Sequence, residues 1–142
     1  MDTNLLVSKR IRDLQKLGRR LAVTPVVVLE YMNWAIASRN KALARGEAER
    51  AAGYERLLHL LPSLLDAIGA TLVEQGLDTR DLEEAAALVT ERQVDPGDAL
   101  NAVTAAKKSL AVATCDRDWL RLRDHVAELI LLEPPQGRRR PR

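Results

Sequence analysis

Apolar positions along the chain change period several times, and the changes mark out its elements. Val7, Ile11 and Leu14 recur at helical spacing among basic residues, which predicts an amphipathic helix of two or three turns ending near Gly18. The stretch LAVTPVVVLEYMNWA follows. Two readings fit it: a short strand ending near the proline, or a strand running into a helix that starts near Val27. By Tyr31, Trp34, Ala35 and Ser38 the spacing is helical. Tyr54, Leu57, Leu58, Leu61, Leu64, Leu65 and Ile68 follow the i, i+3, i+4, i+7 pattern. Pro62 interrupts it, so a kink or a junction of two helices is expected there.

Gly69 to Gln75 reads as a short strand. DTRDLEEAAALVTERQV reads as a helix with acids in its first turn, and DPGDALNAVTAAKKS as another. In the second, Asp95 is a suitable N-cap, Pro96 a suitable first residue, and Lys107 and Lys108 suit the last turn. Leu110 to Cys115 predicts a buried strand, DRDWLRLRDH a short helix, and Val126 to Leu132 a final strand. Alternating strands and helices imply right-handed crossovers and an α/β fold: a single three-layer domain whose mostly parallel central sheet is flanked by helices. Residues 1–133 form that domain, and 134–142 a basic tail without core residues. No internal repeat is evident.

The 142 residues fit one domain, large enough to bury about two thirds of its unfolded surface. Apolar residues at 46% and charged residues at 30% suit a globular chain. The net charge of +2 is unevenly spread. Lys9, Arg10, Arg12, Lys16, Arg19 and Arg20 crowd an early segment, and Arg138, Arg139, Arg140 and Arg142 crowd the tail. The middle is mostly acidic. A nucleic-acid partner and a solvated basic surface both fit that asymmetry. Tyr31, Trp34, Tyr54 and Trp119 are the only aromatic residues, so stacking on bases is not the expected mode of recognition. Cys115 is the only cysteine, so no intrachain disulfide forms, and a reducing compartment is expected. No leader-like pattern and no stretch long enough to span a bilayer is present, which makes a cytoplasmic protein the default expectation.

Ligands of open parallel sheets bind at the carboxyl ends of the strands. Acids fall at those places: Asp116 and Asp118 after LAVATC, Asp98 in the first turn of the preceding helix, Glu30 after VVVL, and Asp2 beside an apolar run. Each has an ordinary reading. Asp98 suits a helix dipole, worth ~0.3–1 kcal/mol; Asp118 suits the cap of the helix at Trp119; Glu30 suits a helix surface. Together they suggest more, because clustered carboxylates repel unless cations neutralise them. Hard oxygen ligands select Mg²⁺ or Mn²⁺, and an ion so held can activate water against a phosphodiester. A glycine-rich phosphate loop and a G-x-S-x-G elbow are missing. Cys115 reads as a buried small apolar residue, and His59 and His125 as structural or surface residues. A phosphoryl-accepting receiver domain would need a lysine after the last strand, and LILLEPP has none.

DTN at the start, the acid after TPVVVLE, then DPGDALNAVTAA and ATCDRDW, occur in an order that resembles the PIN-domain ribonucleases, nearest the VapC-type toxins of toxin–antitoxin pairs. The third and fourth motifs are the most specific. The resemblance runs to Leu132 and implies an acidic quartet of Asp2, Glu30, Asp98 and Asp116, with Asp2, Asp98 and Asp116 on the metal. It implies that Thr3, Asn4, Thr114 and Asp118 support those carboxylates. It implies Mg²⁺- or Mn²⁺-dependent hydrolysis of RNA by a metal-activated water, a homodimer, and a small antitoxin protein that covers the site. An RNA-processing PIN nuclease and a catalytically impaired RNA- or partner-binding module are alternatives. Lys9, Arg10, Arg12, Arg138, Arg139 and Arg140 would then contact RNA phosphates.

The chain departs from that pattern at its start. PIN domains place several apolar residues before the first acid, as the first strand of the sheet, and here only Met1 precedes Asp2. Each large aliphatic side chain buried is worth ~1.5–3 kcal/mol. Losing three or four removes about 5–12 kcal/mol, comparable to the stability of a whole domain. The expectation is a start upstream, a shortened chain, or a substitute strand at residues 3–7.

Overall fold

The computed structural model describes residues 1–2, 5–6 and 11–132, with 11 and 12 as backbone only. Thr3, Asn4, Lys9, Arg10, the Arg12 side chain and the arginine-rich tail lie outside the described residues. Residues 5 and 6 are helical, not the substitute strand expected at 3–7, and both leucines are buried.

Helix α1 spans Ile11–Lys16 and strand β1 Leu21–Val23. Between them Gly18 takes a left-handed φ of +62°, which a glycine adopts at little cost. Helix α2, Pro25–Ala44, starts sooner than the β-branched run suggests. Thr24 is extended, and its hydroxyl accepts the Val27 N–H at 3.2 Å. With Pro25 in the first turn, the cap outweighs the weak helix propensity of Val26–Val28. The strand therefore ends before the proline, and Glu30 sits in a helix rather than at a strand end. One stripe of α2, Val27, Tyr31, Ala35 and Ala42, is buried.

Helices α3, Ala48–His59, and α4, Leu61–Ala67, meet at Leu60 with Pro62 in the first turn of α4, which is the junction expected there. Strand β2 is Ala70–Leu72. Helix α5, Thr79–Arg92, opens on a reciprocal cap between Asp78 and Asp81 and ends at Gln93 in a left-handed conformation. Helix α6, Pro96–Lys108, is capped by Asp95 and ends at Ser109, also left-handed. Strand β3, Ala111–Thr114, a 3₁₀ turn over Arg117–Leu122, and strand β4, Glu128–Leu131, complete the order.

The fold is α/β with short parallel strands, as expected for a three-layer domain. Among the described residues the strands form two parallel pairs rather than one continuous sheet. Strand β1 pairs with β2, with Leu21 opposite Ala70; β3 pairs with β4, with Ala111 opposite Glu128. The first two residues of the chain stand between the pairs. The Met1 amino group donates to the Ala22 carbonyl of β1 at 2.7 Å, and the Asp2 N–H donates to the Ala113 carbonyl of β3 at 2.9 Å. A two-residue rung thus occupies the place of a central strand. A core of Ala85, Leu88, Ala99, Ala102, Val103, Trp119, Leu122 and neighbours fills the β3 side. A smaller one, Leu6, Val23, Val27, Tyr31 and Leu61, fills the β1 side. Among the described residues no helix is long and apolar enough to cross a membrane.

Candidate metal centre

Asp2 is buried, and its position is set by residues more than a hundred places away in the chain. Its Oδ2 accepts the Thr114 hydroxyl at 2.8 Å and the Trp119 indole N–H at 3.0 Å. Thr114 is fully buried at the end of β3 and also accepts the Asp116 N–H at 3.0 Å. One hydroxyl therefore orients the first acid and the backbone of the last. Trp119 lies in the 3₁₀ turn with its ring in the larger core, so packing aims the indole donor at Asp2.

Asp116, not Asp118, caps that turn, its Oδ1 accepting the Asp118 N–H at 2.9 Å. The expectation that Asp118 caps the helix at Trp119 is thus corrected: the turn begins two residues earlier, at Arg117. The Asp118 carboxylate is exposed and pairs loosely with Arg121 at 3.9 Å. Its tie to the acids is its backbone N–H.

Asp98 projects from the first turn of α6, and Glu30 approaches it from α2. Residue 97 between them is a glycine. A Cβ there would lie 3.0 Å from Asp95 Oδ2 and 3.3 Å from the Glu30 carboxyl, too close to fit without movement. The two helices are tied behind the acids by the Thr24 hydroxyl, which donates to Asn101 Oδ1 at 2.6 Å. Asn101 is buried one turn after Asp98. The cap that starts α2 therefore also fixes where Glu30 stands relative to Asp98.

These acids act on one another. Burial, then the charges of Asp2, Asp95, Glu30 and Asp116, push Asp98 up to about 7 from the ordinary 3.8. All four expected quartet members, with Asp95 as a fifth acid, thus share one field. Among the described residues, no three Asp, Glu, His or Cys side chains lie close enough to form a ready-made metal cage. The donor set nevertheless suits a hard divalent ion. Mg²⁺ keeps several of its waters and needs only one or two direct carboxylates, so wider spacing fits it better than it would fit zinc.

Thr24, Asn101 and Asp95 were not anticipated as parts of this site, nor was the Trp119 bond to Asp2. Asn101 carried a usable signal: it lies three residues after Asp98, on the same helix face. The Trp119 and Thr24 bonds span 117 and 77 residues, and periodicity carries no trace of either. Cys115 is half-buried rather than buried. His125 pairs with Glu84 at 2.9 Å, away from the acids.

Neither a curated protein nor a solved structure matches the chain. The PIN-domain family model matches residues 1–125, a span that holds all four quartet acids. PIN domains have a nuclease-type fold and generally use divalent metal ions, and this chain belongs to the PIN-domain family.

Proposed function

We propose that the protein is an Mg²⁺- or Mn²⁺-dependent endoribonuclease. The observation that carries this reading is the shared field of Asp2, Glu30, Asp95 and Asp116 at Asp98, where burial and those charges push the carboxyl up to about 7. Asp2, Asp98 and Asp116 would hold the ion, with Glu30 as the fourth acid. A bound divalent ion supplies a Lewis acid and lowers the pKa of water at the scissile phosphate. The chain's own part is orientation. Thr114 and Trp119 both bond Asp2 Oδ2 and so fix its carboxylate plane, while the Thr24–Asn101 bond sets Glu30 against Asp98. Asp98 would help to hold the ion in its deprotonated form, so binding would release its proton and strengthen as pH rises through about 7.

The toxin role, the homodimer and a small antitoxin partner belong to the same proposal and rest on the likeness of the GDALNAVTAA and ATCDRDW motifs to VapC-type toxins. The basic residues Lys9, Arg10, Arg12 and Arg138–Arg140 are proposed contacts for RNA phosphates. Asp98→Asn tests the reading: cleavage of RNA in Mn²⁺ should fall by at least about a hundredfold, with an unchanged circular dichroism spectrum. Full activity in that variant overturns the site. A second reading, a PIN module that binds RNA without cutting it, is favoured by the spread of the acids, of which no three among the described residues form a close group. Salt-dependent RNA binding with no cleavage in Mg²⁺ or Mn²⁺ would establish it.

A further inference from the structure

Where α2 ends and α3 begins, the surface forms a pocket of about 130 Å³. One water's share of liquid volume is about 30 Å³, so the pocket has room for a tetrahedral oxyanion. Its lining includes Ser38 and Lys41 of α2, Arg45 and Glu47 of the turn, and Arg50 and Tyr54 of α3. Three cations thus stand against one carboxylate. Glu47 pairs with Arg50 at 3.5 Å. Lys41 and Arg45 are exposed and form no ion pair among the described residues.

Lys41 alone would suit the negative end of the α2 dipole. That end is already closed. The Arg45 N–H bonds the Lys41 and Ala42 carbonyls, the Gly46 N–H that of Leu43, and the Glu47 N–H that of Ala42. Gly46 makes this turn at a left-handed φ of +72°. The start of α3 is the opposite case: Glu47 stands at its cap position, and its side chain makes no capping bond. An open helix N-terminus favours an anion and adds to the three cations beside it. The walls are braced. Tyr54 meets Trp34 edge-on with ring centroids 5.8 Å apart, and Arg39 bonds Glu55 at 2.9 Å across the two helices.

The pocket is also in line with the acids. Lys41 follows Glu30 by eleven residues, about three turns, so both stand on one side of α2 roughly 16 Å apart along its axis. Asn33 and Ala37 lie between them on that side, both exposed. A stacked strand advances ~3.4 Å per nucleotide, so about five nucleotides cover the distance. We propose that this pocket is a phosphate subsite: it binds a backbone phosphate of a single RNA strand whose scissile bond lies at the acids. The inference rests on the ribonuclease reading above and adds to it a second point of attachment, which sets the strand's register and a minimum length. Lys41, Arg45 and Arg50 supply the charge, and the hydroxyls of Ser38 and Tyr54 line the same space.

The test is binding of fluorescently labelled single-stranded RNA to the full chain without divalent ions. Affinity should rise at least about tenfold between four- and eight-nucleotide strands. Lys41→Gln/Arg45→Gln should abolish that rise, and should lower the slope of log affinity against log salt by about 1.4 for the longer strand, at about 0.7 for each of two contacts. Arg80→Gln/Lys108→Gln removes two exposed cations elsewhere. Equal losses from the two double variants would mean diffuse attraction and overturn the site, as would a length-dependent rise that survives Lys41→Gln/Arg45→Gln. Calorimetry with inorganic phosphate separates the other source of the same anion: phosphate binding lost in that variant, with RNA binding unchanged, would assign the pocket to a free anion and refute the strand. Cleavage in Mn²⁺ is read separately. A chain that never cuts but binds in this way keeps the subsite and loses the nuclease reading. A chain that cuts, with binding indifferent to Lys41 and Arg45, keeps the reading and loses the subsite.

Discussion

The two sides of the acidic centre are held by different physics. On the β3 side, Asp98 and Asp116 ride on a capped helix and the end of a strand, and Ala99, Ala102, Val103, Trp119 and Leu122 lock both into the larger core. Between the strand pairs, Asp2 sits on a two-residue rung whose Met1 amino group bonds β1; Asp2 itself is held by two backbone bonds, its N–H to Ala113 and its carbonyl from Leu5, and by the Thr114 and Trp119 donors. Packing serves both, since Met1 and Leu6 join the Val23–Leu61 cluster and Leu5 packs with Leu14, Leu21 and Ala113, but hydrogen bonds aim the Asp2 carboxylate. The difference predicts where the site is fragile: changes to buried core side chains should reach the fold, whereas changes to the donors that orient the acids should reach the site first.

Trp119 belongs to both sides and should give the largest effect. Trp119→Ala removes a fully buried ring and one of the two donors to Asp2, and should lower stability by ~3–5 kcal/mol in urea unfolding. Thr114→Val keeps the volume but removes the hydroxyl shared by Asp2 and Asp116, and should cost ~1–3 kcal/mol. The contrast sharpens in metal titration. Thr114→Val should weaken Mn²⁺ binding by about tenfold or more while the chain stays folded at 25 °C. If Thr114→Val proves as destabilising as Trp119→Ala, the Thr114 hydroxyl serves the fold as much as the site.

The pH dependence of stability probes the contact between the two sides. Asp98 has a folded pKa of about 7 against an ordinary 3.8, so the folded chain binds its proton more tightly than the unfolded chain. That favours folding below pH about 4, and the advantage is lost as pH rises from there through about 7. Asp98 is only half-buried, and solvent screens part of the effect. Without metal, the melting temperature should fall by about 3 °C or more between pH 5 and pH 8. Asp98→Asn should flatten that fall, and Mn²⁺ should reverse it at pH 8 more than at pH 5, where the proton competes. An identical slope in wild type and Asp98→Asn would mean that the acids do not interact across the two sides.

Local chemistry made the helices legible. Asp95-Pro96 marked the start of α6, Pro62 marked the α3–α4 junction, and Gly18 marked the end of α1. The order of motifs gave the family, and of the acids expected at strand ends Asp116 follows β3, whereas Glu30 and Asp98 lie in helices. Two kinds of feature were not legible. The Val26–Val28 run pointed to a strand as readily as to a helix, and the Thr24–Pro25 cap decided it. The donors on Asp2 come from β3 and the 3₁₀ turn, which only the fold brings near.

The smallest change tests the comparison most finely. Gly97 lies where α6 begins, between a residue of its own cap and the acid that α2 delivers. Gly97→Ala should gain helix propensity, at most about 1 kcal/mol and less so near a helix start. The added methyl meets Asp95 Oδ2 at 3.0 Å and the Glu30 carboxyl at 3.3 Å, so one of them must move. Asp95 is held by the Gly97 N–H it caps, whereas Glu30 is at the end of a longer side chain. Glu30 is therefore the group expected to yield. Stability should stay within about 1 kcal/mol of wild type while Mn²⁺ affinity falls several-fold, and pairing with Glu30→Gln should show non-additive losses. Additive losses would place the methyl's effect on Asp95 instead, and α6 rather than α2 would then be the more adjustable side of the centre.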